Sequence, residues 1–100
     1  MASVELTKLA EDDLVDIWKY IADDNPTAAT RTVEAIYERI EQLSLQPHMG
    51  RNRSDLREGL QSHSLSNYII FFFAKNRPKG VQVVRILEGH RDIGSEVFEE

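Results

Sequence analysis

This chain contains no cysteine, only three prolines and no long hydrophobic run. Without cysteine there can be no disulfides and no thiolate chemistry, which fits a reducing compartment. No apolar run approaches the ~20 residues that a membrane helix needs. The N-terminus has neither the basic flank nor the apolar segment of a signal peptide. We therefore expect a cytoplasmic protein without a membrane segment, folded as a single domain over residues 1–100.

Patterns that mark common enzyme and cofactor sites are also missing. The three histidines, His48, His63 and His90, are far apart and have no partner at metal-ligand spacing. There is no glycine-rich phosphate loop, and no serine lies in a nucleophile elbow. The sequence therefore predicts neither a metal nor a cofactor.

Charge is distributed unevenly along the chain. The net charge is −5, but residues 1–46 carry 4 basic and 10 acidic side chains, a net of −6. Residues 47–92 carry 8 basic and 4 acidic side chains, a net of +4. An acidic protein is poorly suited to bind nucleic acid on its own, because phosphates require a cationic surface. A local basic region still fits one specific anionic partner.

The first half of the chain predicts a short strand and two helices. Residues 3–7 alternate polar and apolar, as in a strand, and Thr7 can cap the helix predicted from Lys8 to Asp24. Its apolar stripe comprises Leu14, Ile17, Trp18 and Ile21. The stripe favours a core position for Trp18 over a role as an interface anchor. Asn25 and Pro26 then suit the cap and first position of a second helix that reaches Leu45.

The second half predicts a basic loop followed by three strands. The loop spans residues 47–59 and carries Arg51, Arg53 and Arg57, which either balance the acidic helices or bind an anionic group. Strands are predicted at residues 61–66, 68–74 and 81–87. The consecutive apolar residues from Tyr68 to Ala74 indicate a central strand that is covered on both faces. The order β-α-α-β-β-β predicts an α+β fold, with a helical hairpin packed on a small antiparallel sheet.

Arg85 interrupts the apolar pattern of the last strand. Strict alternation would place it on one face with Val81, Val83 and Leu87. A charge in such a row is normally paired or reaches the sheet edge, with Glu88 or Asp92 as nearby partners. The sequence is equally compatible with a structural ion pair and with a direct functional role for Arg85.

The order of these elements and several motifs resemble the ParE/RelE superfamily of toxins from type II toxin–antitoxin modules. The resemblance covers nearly the whole chain and is closest to the ParE branch with its RelE-like fold. The motifs that carry it, in chain order, are Asp24-Asn25-Pro26, Pro47-His48-Met49-Gly50-Arg51, Asp55-Leu56-Arg57-Glu58-Gly59-Leu60, Asn67-Tyr68-Ile69-Ile70-Phe71-Phe72 and Val83-Val84-Arg85-Ile86-Leu87-Glu88-Gly89-His90-Arg91-Asp92.

The resemblance implies one of two activities. ParE-type toxins inhibit DNA gyrase, whereas RelE-type toxins are ribosome-dependent ribonucleases that use basic residues and a C-terminal tyrosine. Phe98 stands where that tyrosine would be, and a phenyl ring can neither donate nor accept a proton. We therefore expect a gyrase inhibitor that acts by binding, with Arg91, Asp92 and Phe98 at the target. The alternative is a ribonuclease that uses His90, Arg85 and Arg91, and a toxin that has lost its activity is a third hypothesis.

The resemblance also implies a cognate ParD-like antitoxin, which we expect to begin with a ribbon-helix-helix domain. Such antitoxins lie along the helical hairpin and the sheet. The expected antitoxin-binding residues are four apolar or aromatic side chains and three arginines that could pair with carboxylates: Ile17, Ile21, Ile36, Tyr37, Arg51, Arg57 and Arg85. The apolar members of this set could equally be core residues.

Overall fold

A computed structural model describes residues 2–89 and 93–99 of the chain. Two helices pack on one five-stranded sheet, and a short 3-10 helix follows the last strand. The elements are β1 (Ser3–Leu6), α1 (Lys8–Ala22), α2 (Pro26–Leu45), β2 (Arg51–Asn52), β3 (Gln61–Leu65), β4 (Tyr68–Asn76), β5 (Lys79–Glu88) and the 3-10 helix (Ser95–Phe98). The predicted α+β class is confirmed.

Both helices begin at the residues that the capping signals indicate. The Thr7 side chain accepts a hydrogen bond from the Ala10 amide at 3.2 Å, and Asn25 does the same for Ala28 at 3.0 Å. Pro26 occupies the first turn of α2, where its missing N–H has no cost. The first helix ends at Ala22, two residues earlier than predicted, because the chain already turns at Asp23 and Asp24.

The sheet is mixed, which corrects the expected purely antiparallel arrangement. Its strand order is β1-β5-β4-β3-β2, and β1 runs parallel to β5. A parallel pair needs a long connection between its strands, and the helices and three intervening strands supply one. At this contact, a Cβ at Gly80 would overlap the Ser3 carbonyl oxygen, so only glycine lets the strands approach. In the predicted basic loop, Arg51–Asn52 adds a two-residue edge strand.

The central strand β4 has a hydrophobic core on each side, as predicted. The side against the helices, called the helix face below, is built around Ile70 and Phe72 of this strand. The opposite side, called the back face, contains Phe71 together with Leu60 and Phe98. Segment 53–60 and segment 93–98, which contains the 3-10 helix, cover the back face instead of α-helices.

A β-bulge in β5 overturns the predicted alternation of side chains. Phe71 pairs with Arg85 and Phe72 with Val83, so Val84 is the extra residue. Val83 and Ile86 consequently lie on the helix face, while Val84 and Leu87 lie on the back face. Arg85 and Leu87 therefore do not share a row with Val81 and Val83. The bulge places Arg85 at the point where the outer edge of β5 extends beyond β1.

Candidate protein-interaction surface

An apolar groove runs along β1 and the two helices, and we call it the β1–hairpin groove. It consists of two cavities of about 720 and 390 Å³. Tyr37 lines both cavities and is 41% exposed. The other apolar residues along the groove are Ala2, Val4, Leu6, Leu14, Val15, Trp18, Val33 and Leu45. A contiguous apolar surface of this kind marks a site of interaction with another protein.

Acidic side chains accompany the apolar residues of this groove. Glu38 and Glu41 line the larger cavity, and Glu11 lines the smaller one. No lysine or arginine is among the residues that line either cavity within the described part of the chain. The groove therefore presents apolar surface under a negative potential, which suits a partner with basic flanks.

The four apolar residues that the sequence suggested for antitoxin binding have different environments. Tyr37 lines the groove, whereas Ile36 is fully buried in the core. Ile17 and Ile21 are half-buried, and Ile17 also packs against the helix-face core. Of these four residues, Tyr37 is therefore the most exposed and the one that lines the groove.

Sequence reasoning missed several groove residues. Trp18 is 40% exposed and donates a hydrogen bond to Thr30 at 3.3 Å, so the preference for a core position was wrong. Val15 is exposed on α1, beside the apolar stripe that the sequence predicts. A wider stripe would have included it. Val4 and Leu45 lie near the ends of elements, where periodicity gives little information.

The three arginines of the basic loop have different environments, although Arg53 and Arg51 both lower the pKa of Asp55. Arg51 is exposed on β2, and Arg57 is half-buried in the segment that covers the back face. Arg53 pairs with Asp55 at 3.1 Å and lies 5.8 Å from the centre of the Phe71 ring. Arg53 therefore helps to cover the back face.

Arg85 forms a largely buried ion pair with Asp13 of α1. Its Nε and Nη2 donate to the two carboxylate oxygens, each at 2.8 Å, and Nη1 donates to the Val97 carbonyl oxygen. The hydrogen bonds that Arg85 donates to Asp13 raise the pKa of its guanidinium. This partner is not one of the near candidates but a residue 72 positions earlier in the chain. Asp92, one of those candidates, lies outside the described residues.

The same carboxylate also caps the sheet edge. Beyond the end of β1, the Ile86 amide donates to Asp13 Oδ2 at 2.9 Å, and the Thr7 hydroxyl donates to the Val84 carbonyl at 3.1 Å. These contacts satisfy backbone groups of β5 that have no partner strand there. Asp13 and Arg85 thereby connect α1, the bulge and the C-terminal segment.

Among the three residues expected at the target, the structure describes Phe98. Its ring is only 9% exposed and packs edge-on against Phe71, with centroids 5.1 Å apart and planes at 72°. In this conformation Phe98 is a core residue. Arg91 and Asp92, and the ribonuclease candidate His90, lie outside the described residues.

Within residues 2–89 and 93–99, no three histidine, aspartate or glutamate side chains are grouped so that they could hold a metal ion. The described helices are also too short or too polar to cross a membrane.

Comparison with known proteins gives concordant results. A family model described as "ParE toxin of type II toxin-antitoxin system, parDE" matches residues 4–93. Toxin ParE3 of Caulobacter vibrioides is 27% identical over 101 residues, which cover 97% of this chain and 96% of the relative. Toxin RelE3 of the same organism is 32% identical over 87 residues, or 86% and 92% of the two chains.

A solved structure has the same fold. It is described as the chromosomal ParDE TA system from P. aeruginosa and superposes with a TM-score of 0.72 at 26% identity. The superposition covers 88% of this chain and 96% of that one.

Proposed function

Because this chain belongs to the ParE family of toxins from type II toxin–antitoxin systems, we propose that it inhibits DNA gyrase by binding, without catalysing a reaction. A cognate antitoxin is its partner within the module. We further propose that the antitoxin begins with a ribbon-helix-helix domain and that the toxin acts in the cytoplasm. Family membership supports gyrase as the target, and the environment of two residues supports inhibition by binding.

The main support for a non-catalytic mechanism is that the Arg85 guanidinium is already hydrogen-bonded within the protein. A ribonuclease would need this guanidinium to stabilise a phosphate in the transition state. Here, three of its nitrogens already donate to Asp13 and to the Val97 carbonyl. Phe98 also supports a non-catalytic mechanism, because its ring lacks a hydroxyl and is packed against Phe71.

A gyrase supercoiling assay without ribosomes tests this function. We expect the purified toxin to block supercoiling or to trap cleaved DNA, and the toxin–antitoxin complex to have no effect. Full gyrase activity with excess folded toxin would refute the proposal. A toxin that spares gyrase, spares messenger RNA and does not arrest growth would instead match the third hypothesis, loss of activity.

The second candidate function is a ribosome-dependent ribonuclease. It is favoured by the 32% identity with Toxin RelE3, which exceeds the 27% identity with Toxin ParE3. A purified translation mixture tests it, since a ribonuclease would fragment the message and His90→Ala would abolish the cleavage. Intact message at toxin concentrations that inhibit gyrase would eliminate this candidate.

The β1–hairpin groove is the surface that we propose for the antitoxin. Its larger cavity, of about 720 Å³, borders the exposed side chains of Val4, Tyr37 and Leu45, and Tyr37 connects the two parts of the groove. Tyr37→Ala and Trp18→Ala should each weaken the complex by about ten-fold or more, since buried aromatic anchors dominate interfaces. The matched control is Tyr20→Ala, which removes an exposed tyrosine of α1 that lines neither cavity of the groove.

A further inference from the structure

A cavity that is separate from the β1–hairpin groove lies between α1 and the end of β5, and we call it the tyrosine pocket. It has a volume of about 390 Å³. Tyr20 of α1 and Tyr68 of β4 line it, and the ion pair between Arg85 and Asp13 is also part of its lining. None of these four residues lines either cavity of the groove.

The tyrosine pocket has an excess of negative charge. Asp16 and Glu88 are exposed carboxylates in its lining, and Asp16 forms no ion pair with any residue in the described part of the chain. The one cation among the described lining residues is Arg85, which Asp13 already neutralises. Burial raises the pKa of the Tyr68 hydroxyl, and the charge of Glu88 raises it further. The pocket therefore combines aromatic rings with uncompensated carboxylate charge.

Aromatic rings beside exposed carboxylates suit one class of ligand, a basic side chain. The guanidinium of arginine stacks on a tyrosine ring and binds a carboxylate through two parallel hydrogen bonds. Lysine offers only a compact charge, so the pocket suits arginine better. Tyr20 is 79% exposed, and tyrosine is among the residue types that contribute most to binding at protein interfaces.

The tyrosine pocket and the β1–hairpin groove lie on opposite sides of α1. Trp18 lines the groove, whereas Asp16 and Tyr20 line the pocket. Each of these two residues is two positions from Trp18, which is about 160° around a helix of 3.6 residues per turn. A segment bound in the groove therefore leaves the pocket uncovered, so the pocket is available to a second partner.

We infer that the tyrosine pocket binds an arginine side chain of DNA gyrase and is part of the surface with which the toxin contacts its target. This inference rests on the proposed function in that it takes gyrase as the target. The place of the pocket in the chain supports this occupant. It lies at the end of β5, and the sequence continues from Glu88 through Gly89 to Arg91 and Asp92, two of the residues expected at the target.

The two partners can exclude each other without sharing contact residues. A helix with its side chains is only about 10–12 Å across. An antitoxin on one side of α1 therefore hinders a large enzyme from approaching the other side. Neutralisation is thus compatible with an antitoxin that leaves Asp16 and Tyr20 uncovered, and variants of these residues should affect gyrase alone.

Three substitutions of Tyr20 test the inference with purified gyrase and relaxed plasmid. Tyr20→Ala should raise the toxin concentration for half-inhibition of supercoiling by about ten-fold or more, and should leave the Kd for the antitoxin within about two-fold. Tyr20→Phe keeps the ring and should inhibit almost as well as the wild-type toxin. Tyr20→Leu keeps apolar surface without an aromatic face and should behave like Tyr20→Ala. Equal inhibition by the leucine and phenylalanine variants would overturn a cation bound over the ring.

Charge reversal tests the role of the carboxylate. Asp16→Lys should raise the half-inhibitory concentration about ten-fold and reduce its dependence on salt. The matched control is Glu34→Lys, which makes the same change of charge at an exposed position of α2 that lines neither the groove nor the pocket. Circular dichroism and thermal unfolding of the free variants establish that each is folded.

The outcomes separate this inference from the proposed function. If the wild-type toxin inhibits gyrase and the folded Tyr20→Ala and Asp16→Lys variants inhibit it equally well, the inference fails and the proposed function stands. If these variants lose affinity for the antitoxin as well, or instead, the pocket belongs to the antitoxin interface and the inference fails. Self-association of the toxin that Asp16→Lys abolishes without changing inhibition would assign the pocket to a second copy. If the wild-type toxin neither binds nor inhibits gyrase, the inference and the proposed function fail together.

Discussion

The two faces of the central sheet are covered in different ways. Two capped helices of 15 and 20 residues cover the helix face and enclose a core of ten buried residues within the described part of the chain. An irregular segment and a four-residue 3-10 helix cover the back face, where four of the described residues form the buried core. Helices form cooperatively, so a face that they cover opens only when the whole domain unfolds. Short segments with few contacts can open locally. We therefore expect the helix face to open only on global unfolding and the back face to open locally.

The largest expected effect is at the centre of the helix face. Phe72→Ala removes a fully buried ring, and the cavity should lower the free energy of unfolding by about 3–5 kcal/mol. Phe73→Ala on the same strand is the control, because that ring is half-buried on the back face and should cost less. Denaturant unfolding of both variants measures the difference. Equal losses would contradict a helix face that dominates stability.

The second effect concerns the ion pair that connects the helix to the back face. Asp13→Ala leaves the Arg85 guanidinium largely buried without a counter-charge, and we expect it to cost about 3 kcal/mol. Chemical denaturation measures this loss. The neighbouring Asp12→Ala is a matched control, since its pair with Lys8 is exposed and its removal should be hard to detect. Equal losses of unfolding free energy in both variants would mean that the ion pair does not stabilise the connection between α1 and the back-face segment.

Much of the helix face could be predicted from sequence because its signals are local. Thr7 and Asn25 cap helices through contacts three residues away, and apolar periodicity defines the buried stripes. The consecutive apolar residues of β4 likewise require cover on both sides, which the structure confirms. In each case the physical cause acts within a few residues of the pattern that reveals it.

The unpredicted features depend on contacts between distant residues. The bulge at Val84 is defined only by pairing with β4, and it changes the face of every later residue in β5. The partner of Arg85 lies on α1, so its position cannot be inferred before the fold is known. The groove is missed for the same reason, because β1, α1 and α2 form it jointly. Trp18 has the helical spacing of a core residue, yet the hairpin leaves its ring partly exposed.

The third effect should be confined to the back face. Phe98→Ala removes the ring that packs on Phe71, and we expect a loss of about 2 kcal/mol, because the short terminal segment can partly collapse into the space. Amide exchange should accelerate in residues 53–60 and 93–97 and remain slow in both helices. The control is Val97→Ala, a half-buried neighbour with a smaller side chain. Equal acceleration in the helices would show that the two faces open together.

The smallest effect depends on pH and concerns contact between α2 and the sheet. Arg39 Nη1 donates to His63 Nε2 at 2.7 Å, so the imidazole is neutral with its proton on Nδ1. Burial lowers the pKa of His63, and the charge of Arg39 lowers it further. Because the unfolded chain then takes up the proton more readily than the folded one, stability should fall as pH decreases below about 6.5. It should level off below the pKa of the folded state.

His63→Gln separates this contribution from the general acid sensitivity of a protein rich in carboxylates. Glutamine offers an oxygen acceptor to Arg39 at every pH and does not titrate in this range. We expect the variant to lose the component of the stability decline that begins near pH 6.5, measured as the difference in unfolding midpoint between pH 7.5 and pH 5.5. An unchanged difference would mean that protonation of His63 does not weaken the contact between α2 and β3. The pH dependence would then have to arise from carboxylates, whose stabilising contribution is lost at lower pH.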